Sequence, residues 1–175
     1  MIHAENEIKL YIDTVLPIFQ KHNIDYFLND NGDENTFYYT PTSTEENYGV
    51  TVFEAELEKF RKELDTNELP FLVGEKCVFT NKGIHILVKK LFSKKFLFFP
   101  WTNPIDFTCN ITSLQMIQLQ VNGETSIEIA PNLTRLGMSQ DDVWNMSSKK
   151  VPELFQPDLE KLLQAFRELQ QVLAQ

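Results

Sequence analysis

Glycine is scarce in this chain, six in 175 residues, and no P-loop is present, so a phosphate-cradling loop is not expected. There are two cysteines, Cys77 and Cys109, far apart and both in apolar, strand-like surroundings. They read as buried free thiols, which points to a reducing, cytoplasmic setting. Three histidines, His3, His22 and His85, are scattered over different segments, so no zinc spacing exists and no metal or other cofactor is expected. No run of eighteen apolar residues occurs, and nothing is expected to span a membrane. The opening "MIHAENEIKLYIDT" carries acids and no apolar core, unlike a signal peptide. A Gly-x-Ser-x-Gly elbow is also missing. These absences remove the common catalytic signatures, and an enzyme is not expected.

What is present is core material and unevenly placed charge. Fourteen phenylalanines and an apolar fraction of 42% fit a folded globular chain with one substantial core. The net charge is -9, but residues 1–75 hold 16 acids against 5 bases, whereas residues 76–105 hold 6 lysines and no acid. The acidic bulk repels nucleic acid, which is not expected as a partner. Only the basic island attracts an anion. Its centre, "KKLFSKKFLFFPW" from Lys89 to Trp101, sets four lysines among seven apolar residues.

Period divides the chain in two. Through residue 68 the pattern is helical. Ile8, Ile12, Val15 and Phe19 form one stripe, which Pro17 should kink or end. A polar loop follows, interrupted by "TFYY", a short strand candidate. "TVFEAELEKFRKEL" then lines up Phe53, Leu57, Phe60 and Leu64, with Thr51 and Glu54 in a capping-box pattern. From residue 69 the period becomes 2, and "FLVGEKCVF", "IHILVKK", "KFLFFPW", "IDFTCNI", "LQMIQLQV" and "TSIEIA" read as consecutive strands. "SQDDVWNM" looks like a short helix capped by Ser139 with Asp142. "PDLEKLLQAFRELQQVLAQ" is an amphipathic helix with Pro157 in its first turn and Leu159, Leu162, Phe166 and Leu169 on one face.

Two turns set strand register. In "VFTNKGIHI" a three-residue loop Asn81-Lys82-Gly83 would place glycine in the left-handed position, with Thr80 facing Ile84, Phe79 facing His85 and Cys77 facing Leu87. In "LQVNGETSIEI" a two-residue Asn122-Gly123 turn would pair Val121 with Glu124 and mix core with solvent faces. A three-residue loop Val121-Asn122-Gly123, setting Leu119 against Thr125 and Ile117 against Ile127, is therefore expected.

Six antiparallel strands followed by one amphipathic helix is the order of a pleckstrin-homology-like (PH-like) roll. "GEKCVFTNKGIHI" resembles the opening of bacterial PH-like and GRAM-type domains, "FFPW" before Ile105 resembles their third strand, and "IQLQVNGETSIEI" resembles their later hairpin. The resemblance covers residues 70–173. It implies an α+β fold, a PH-like β-roll of six or seven strands closed by the C-terminal helix, and a binding role. Residues 1–68 would be a helical N-terminal extension packed on a roll formed by 69–175.

Candidate sites are few. "FLNDNGDEN" fails as an EF-hand, since Phe27 would stand at position 1 and Tyr38 at position 12. Cys77 and His85, on paired strands, are the one Cys/His pair near enough to consider, and His85 reads as a core-edge residue instead. That leaves two surfaces. Lys89, Lys90, Lys94 and Lys95 bracket a turn carrying Leu91 and Phe92, a basic and partly apolar tip suited to an acidic protein face or lipid headgroups. Such a tip suits an adaptor of the bacterial cytoplasm. Equally, the lysines could merely guard an exposed edge. Alternatively the acids Asp30, Asp33, Glu34, Glu54, Glu56 and Glu58 would face a basic toxin, as in an immunity-type inhibitor.

Overall fold

A computed structural model describes residues 2–29, 37–39, 48–112, 116–129, 137–146 and 150–175. The chain opens with α1 (Ile2–Leu10), a π-helical turn (Tyr11–Val15) and α2 (Leu16–Lys21). Pro17 does not end this helix. It falls in the first turn of α2, directly after the π turn, where a missing N–H is tolerated. Two short strands, β1 (Leu28–Asn29) and β2 (Phe37–Tyr39), precede α3 (Tyr48–Glu58). Thr51 lies inside α3, so it cannot cap that helix as its capping-box spacing suggested.

Seven further strands follow: β3 (Pro70–Gly74), β4 (Cys77–Thr80), β5 (Gly83–Lys90), β6 (Ser93–Pro100), β7 (Phe107–Ile111), β8 (Ile117–Val121) and β9 (Glu124–Ile129). Strands β1 to β6 form one sheet in sequence order, and β7, β8 and β9 form a second. The expected single strand "FLVGEKCVF" is a hairpin, β3 and β4, turning at Glu75-Lys76. Every residue of β3 is buried because both faces are covered, so no alternation marked its end.

Phe53, Leu57 and Phe60, from α3 and the turns after it, cover Val73, Val78 and Leu87 on one face of the large sheet. The other face meets α1, α2, the second sheet and α5 (Lys150–Leu173) in the main core. There Phe166 packs against three rings, Phe19, Phe79 and Phe107, with centroids 5.3 to 5.7 Å away. Pro157 sits within α5 and not in its first turn, on the exposed side. The short helix α4 (Gln140–Asn145) has the expected cap. The Asp142 N–H donates to Ser139 Oγ, and Asp142 Oδ2 accepts from the Ser139 N–H.

Both expected registers are corrected. In β4–β5, Phe79 pairs with Ile84, Val78 with His85 and Cys77 with Ile86, across a two-residue turn Asn81-Lys82. Gly83 opens β5 and is not at positive φ. A Cβ there would lie 2.4 Å from the Phe99 carbonyl oxygen and 2.6 Å from the Phe98 ring, so close approach requires the glycine. In β8–β9, Val121 does pair with Glu124, across Asn122 (φ 50°) and Gly123 (φ 80°). A bulge one step on then restores the apolar match, with Leu119 beside Ile127 and Ile117 beside Ile129. Ser126, displaced at the bulge, is buried and donates from Oγ to the Leu119 carbonyl at 3.0 Å.

Candidate functional site

The longest ladder in the molecule joins β5 to β6, from Gly83 opposite Pro100 out to Lys90 opposite Ser93. Its inner part is held by Ile84, Ile86 and Leu87, all buried, with Val88 and Phe96 packed against the cores, so only the end from Lys89 to Lys95 extends past them as an arm. Beyond Phe96 every residue back to Lys89 is exposed. The turn is two residues, Leu91-Phe92, with Ser93 already paired, one residue shorter than a Leu91-Phe92-Ser93 turn. Leu91 is 90% exposed and Phe92 95%.

Lys89 stands directly opposite Lys94. Like charges in that relation destabilise a hairpin unless an anion lies between or above them. Among the described residues no ion pair involves Lys89, Lys90, Lys94 or Lys95. The arm therefore presents four lysines around two unshielded apolar side chains.

The acidic surface is different in kind. Arg61 binds both Glu54, at 2.8 Å, and Glu58, and Lys59 binds Glu56. These three carboxylates of α3 share two bases, Lys59 and Arg61, from the turns that follow the helix. Asp30, Asp33 and Glu34 lie outside the described residues.

A third feature left no trace in the sequence. Between β6 and the segment after α3 lies a cleft of about 200 Å³, lined by Glu63, Asp65, Glu68, Lys82, His85, Phe96, Leu97 and Phe98. At its base His85 Nε2 donates to Glu68 Oε1 at 2.6 Å, and Thr80 Oγ1 donates to the same oxygen at 2.7 Å. Glu68 Oε2 accepts from the Asp65 N–H at 2.9 Å. Burial acts to raise the Glu68 pKa, but the hydrogen bonds from His85, Thr80 and Asp65 outweigh it and hold the carboxyl below its usual value. The Phe98 ring lies over His85 with centroids 4.5 Å apart. Glu68 sits in the loop "DTNELP", 17 positions from His85, and no local pattern links the two.

Catalysis finds no support in this geometry. His85 projects to the α3 face, whereas Cys77 belongs to the main core on the other face. Burial pushes the Cys77 thiol well above its usual pKa and that of Cys109 up to about 12, so neither forms a ready thiolate. Among the described residues no group of three or more His, Cys, Asp or Glu is placed to hold a metal. No described helix is long and apolar enough to cross a membrane.

A four-stranded run, a three-stranded sheet and a long closing helix are the parts of a PH roll, and the family profile for the PH domain matches residues 1–173. The chain belongs to the PH domain family. No curated protein and no solved structure matches it. The family match extends over the N-terminal helices, and in this PH domain they are part of one core. Tyr11, Val15 and Phe19 pack with the strands, and Lys21 and His22 both reach Glu168 of α5 at 2.8 Å. PH domains are interaction modules for proteins or lipids and are generally non-catalytic, in keeping with a surface whose distinctive features are a charged arm and a cleft.

Proposed function

We propose that this PH domain is a non-enzymatic adaptor that docks on an anionic surface through the β5–β6 arm. One observation carries the reading. Leu91 and Phe92 are almost fully exposed at the apex of a hairpin whose four lysines have no described ion-pair partner. A soluble edge needs lysines, but it gains nothing from two large apolar residues placed at its tip. An anionic phospholipid face offers headgroups for the lysines and hydrocarbon for the apex. Each lysine near such a surface contributes about 1 kcal/mol, so four acting together are significant and one alone is not. With an overall charge of -9, docking depends on the arm reaching beyond the acidic body. The field of that body fades over roughly 8 Å in physiological salt.

The alternative of an acidic inhibitor facing a basic toxin draws less support, since Glu54, Glu56 and Glu58 already share Lys59 and Arg61. Vesicle flotation tests the proposal. The parent protein should float with vesicles rich in phosphatidylserine and stay down with pure phosphatidylcholine. Reversing Lys89, Lys90, Lys94 and Lys95 to glutamate should abolish flotation while leaving the folded spectrum intact. If the reversed protein floats as the parent does, the arm is not the docking element.

A further inference from the structure

Strand β6 is an edge of the large sheet. The pairing with β5 fixes which of its backbone groups are used. Trp101 N–H donates to the Lys82 carbonyl in the same ladder. By antiparallel alternation the inward-bonded residues of β6 are then Lys95, Leu97 and Phe99. Lys94, Phe96 and Phe98 direct their N–H and C=O groups outward, and no described strand pairs with them. Their side chains share the sheet face of His85, where the cleft lies. Along this edge charge changes sign. Lys94 stands at one end, while Glu63 and Asp65 line the cleft together with Phe96 and Phe98. Lys82 offsets Asp65 at 3.0 Å, and Glu63 has no such base among the described residues.

We infer that the open edge of β6 accepts an extended peptide segment as an added antiparallel strand, with a basic side chain seated in the cleft. Main-chain bonding to Lys94, Phe96 and Phe98 supplies the attachment, and side chains on alternate positions supply the selection. The residue opposite Phe98 is arginine or lysine. Its cation lies against the Phe96 and Phe98 rings and beside Glu63, so aromatic faces and carboxylate act on it together. Four positions on, opposite Lys94, the segment carries an acid. Antiparallel addition puts the basic residue first, giving a basic-x-apolar-x-acidic pattern. Proline at position 100 closes the edge at the far end, since it has no N–H to offer. This site shares Lys94 with the basic arm, but Leu91 and Phe92 at the apex take no part in it.

The probe is a fluorescein-labelled peptide Thr-Arg-Thr-Val-Thr-Glu-Thr, read by anisotropy against the full chain. Binding is expected, and exchanging its arginine and glutamate should weaken it at least tenfold. N-methylation at the Arg, Val and Glu amides should abolish binding. N-methylation at the Thr residues between Arg and Glu should leave it nearly unchanged, because those amides face away from β6. On the protein, the pair Glu63→Lys and Asp65→Lys should reverse the preference between the two peptides, and changing Leu91 and Phe92 to serine should have no effect. Amide exchange at Phe96 and Phe98 should slow when the probe binds. Equal binding of both peptides, loss on methylating either set of amides, or no binding by the folded protein would each overturn the inference.

Discussion

Glu68 is a carboxylate that burial disfavours and three hydrogen bonds keep ionised. It ties the loop after α3 to β4 and β5, through Thr80 and His85. Its folded pKa lies below the ordinary 4.5, so it stabilises the fold above that pH, and the contribution is lost as pH falls below it. Glu68→Ala should cost about 3 kcal/mol in urea unfolding, since it strands buried donors, and should flatten the acid limb of stability against pH. Glu7 acts in the opposite sense. Burial, then the Glu54 charge, raises it from 4.5 to about 7, so the folded state binds the extra proton between those values. Stability should therefore decline as pH rises from 4.5 to 7, and Glu7→Gln should remove that slope when urea midpoints are compared across the window. Neither role was legible in the sequence. Glu7 and Glu68 are ordinary acids in acidic segments, and only the fold places them beside Glu54 and His85.

At the scale of elements, hydrophobic spacing located the strands and the C-terminal helix, because burial on one face leaves a period. Leu159, Leu162, Phe166 and Leu169 are buried in α5 as their spacing implied. Phe166→Ala would leave a hole among three rings and should lower stability by about 3–5 kcal/mol, measured as a fall in the urea midpoint. Turns were less legible, for a physical reason. In β8–β9 the local preference of Asn-Gly for a two-residue turn and the apolar register conflict, and a bulge at Ser126 satisfies both. A bulge leaves no mark in the pattern of apolar residues. At Gly83 the glycine answers to Phe98 and Phe99 across the ladder and not to a left-handed turn. Gly83→Ala should accordingly destabilise the β5–β6 pairing, seen as faster amide exchange along Ile84 to Val88.

For the whole molecule, the uneven charge that the sequence displays becomes a geometry. An acidic body carries one basic arm at the end of the β5–β6 ladder, and among the described residues no carboxylate forms an ion pair with its lysines. The candidate tip, Lys89 to Lys95, could be read from sequence because lysines and apolar residues are contiguous there. The cleft could not, since it is assembled from the loop after α3 and the edge of β6. The claim that the apex enters an anionic membrane is tested most directly by an emission reporter at its most exposed residue. Phe92→Trp changes a side chain that touches almost nothing, so the fold should be unaffected. After subtraction of the parent protein's spectrum, the new tryptophan should shift to shorter wavelength on adding phosphatidylserine vesicles and stay unshifted with phosphatidylcholine alone. An unshifted emission with both kinds of vesicle would contradict the account.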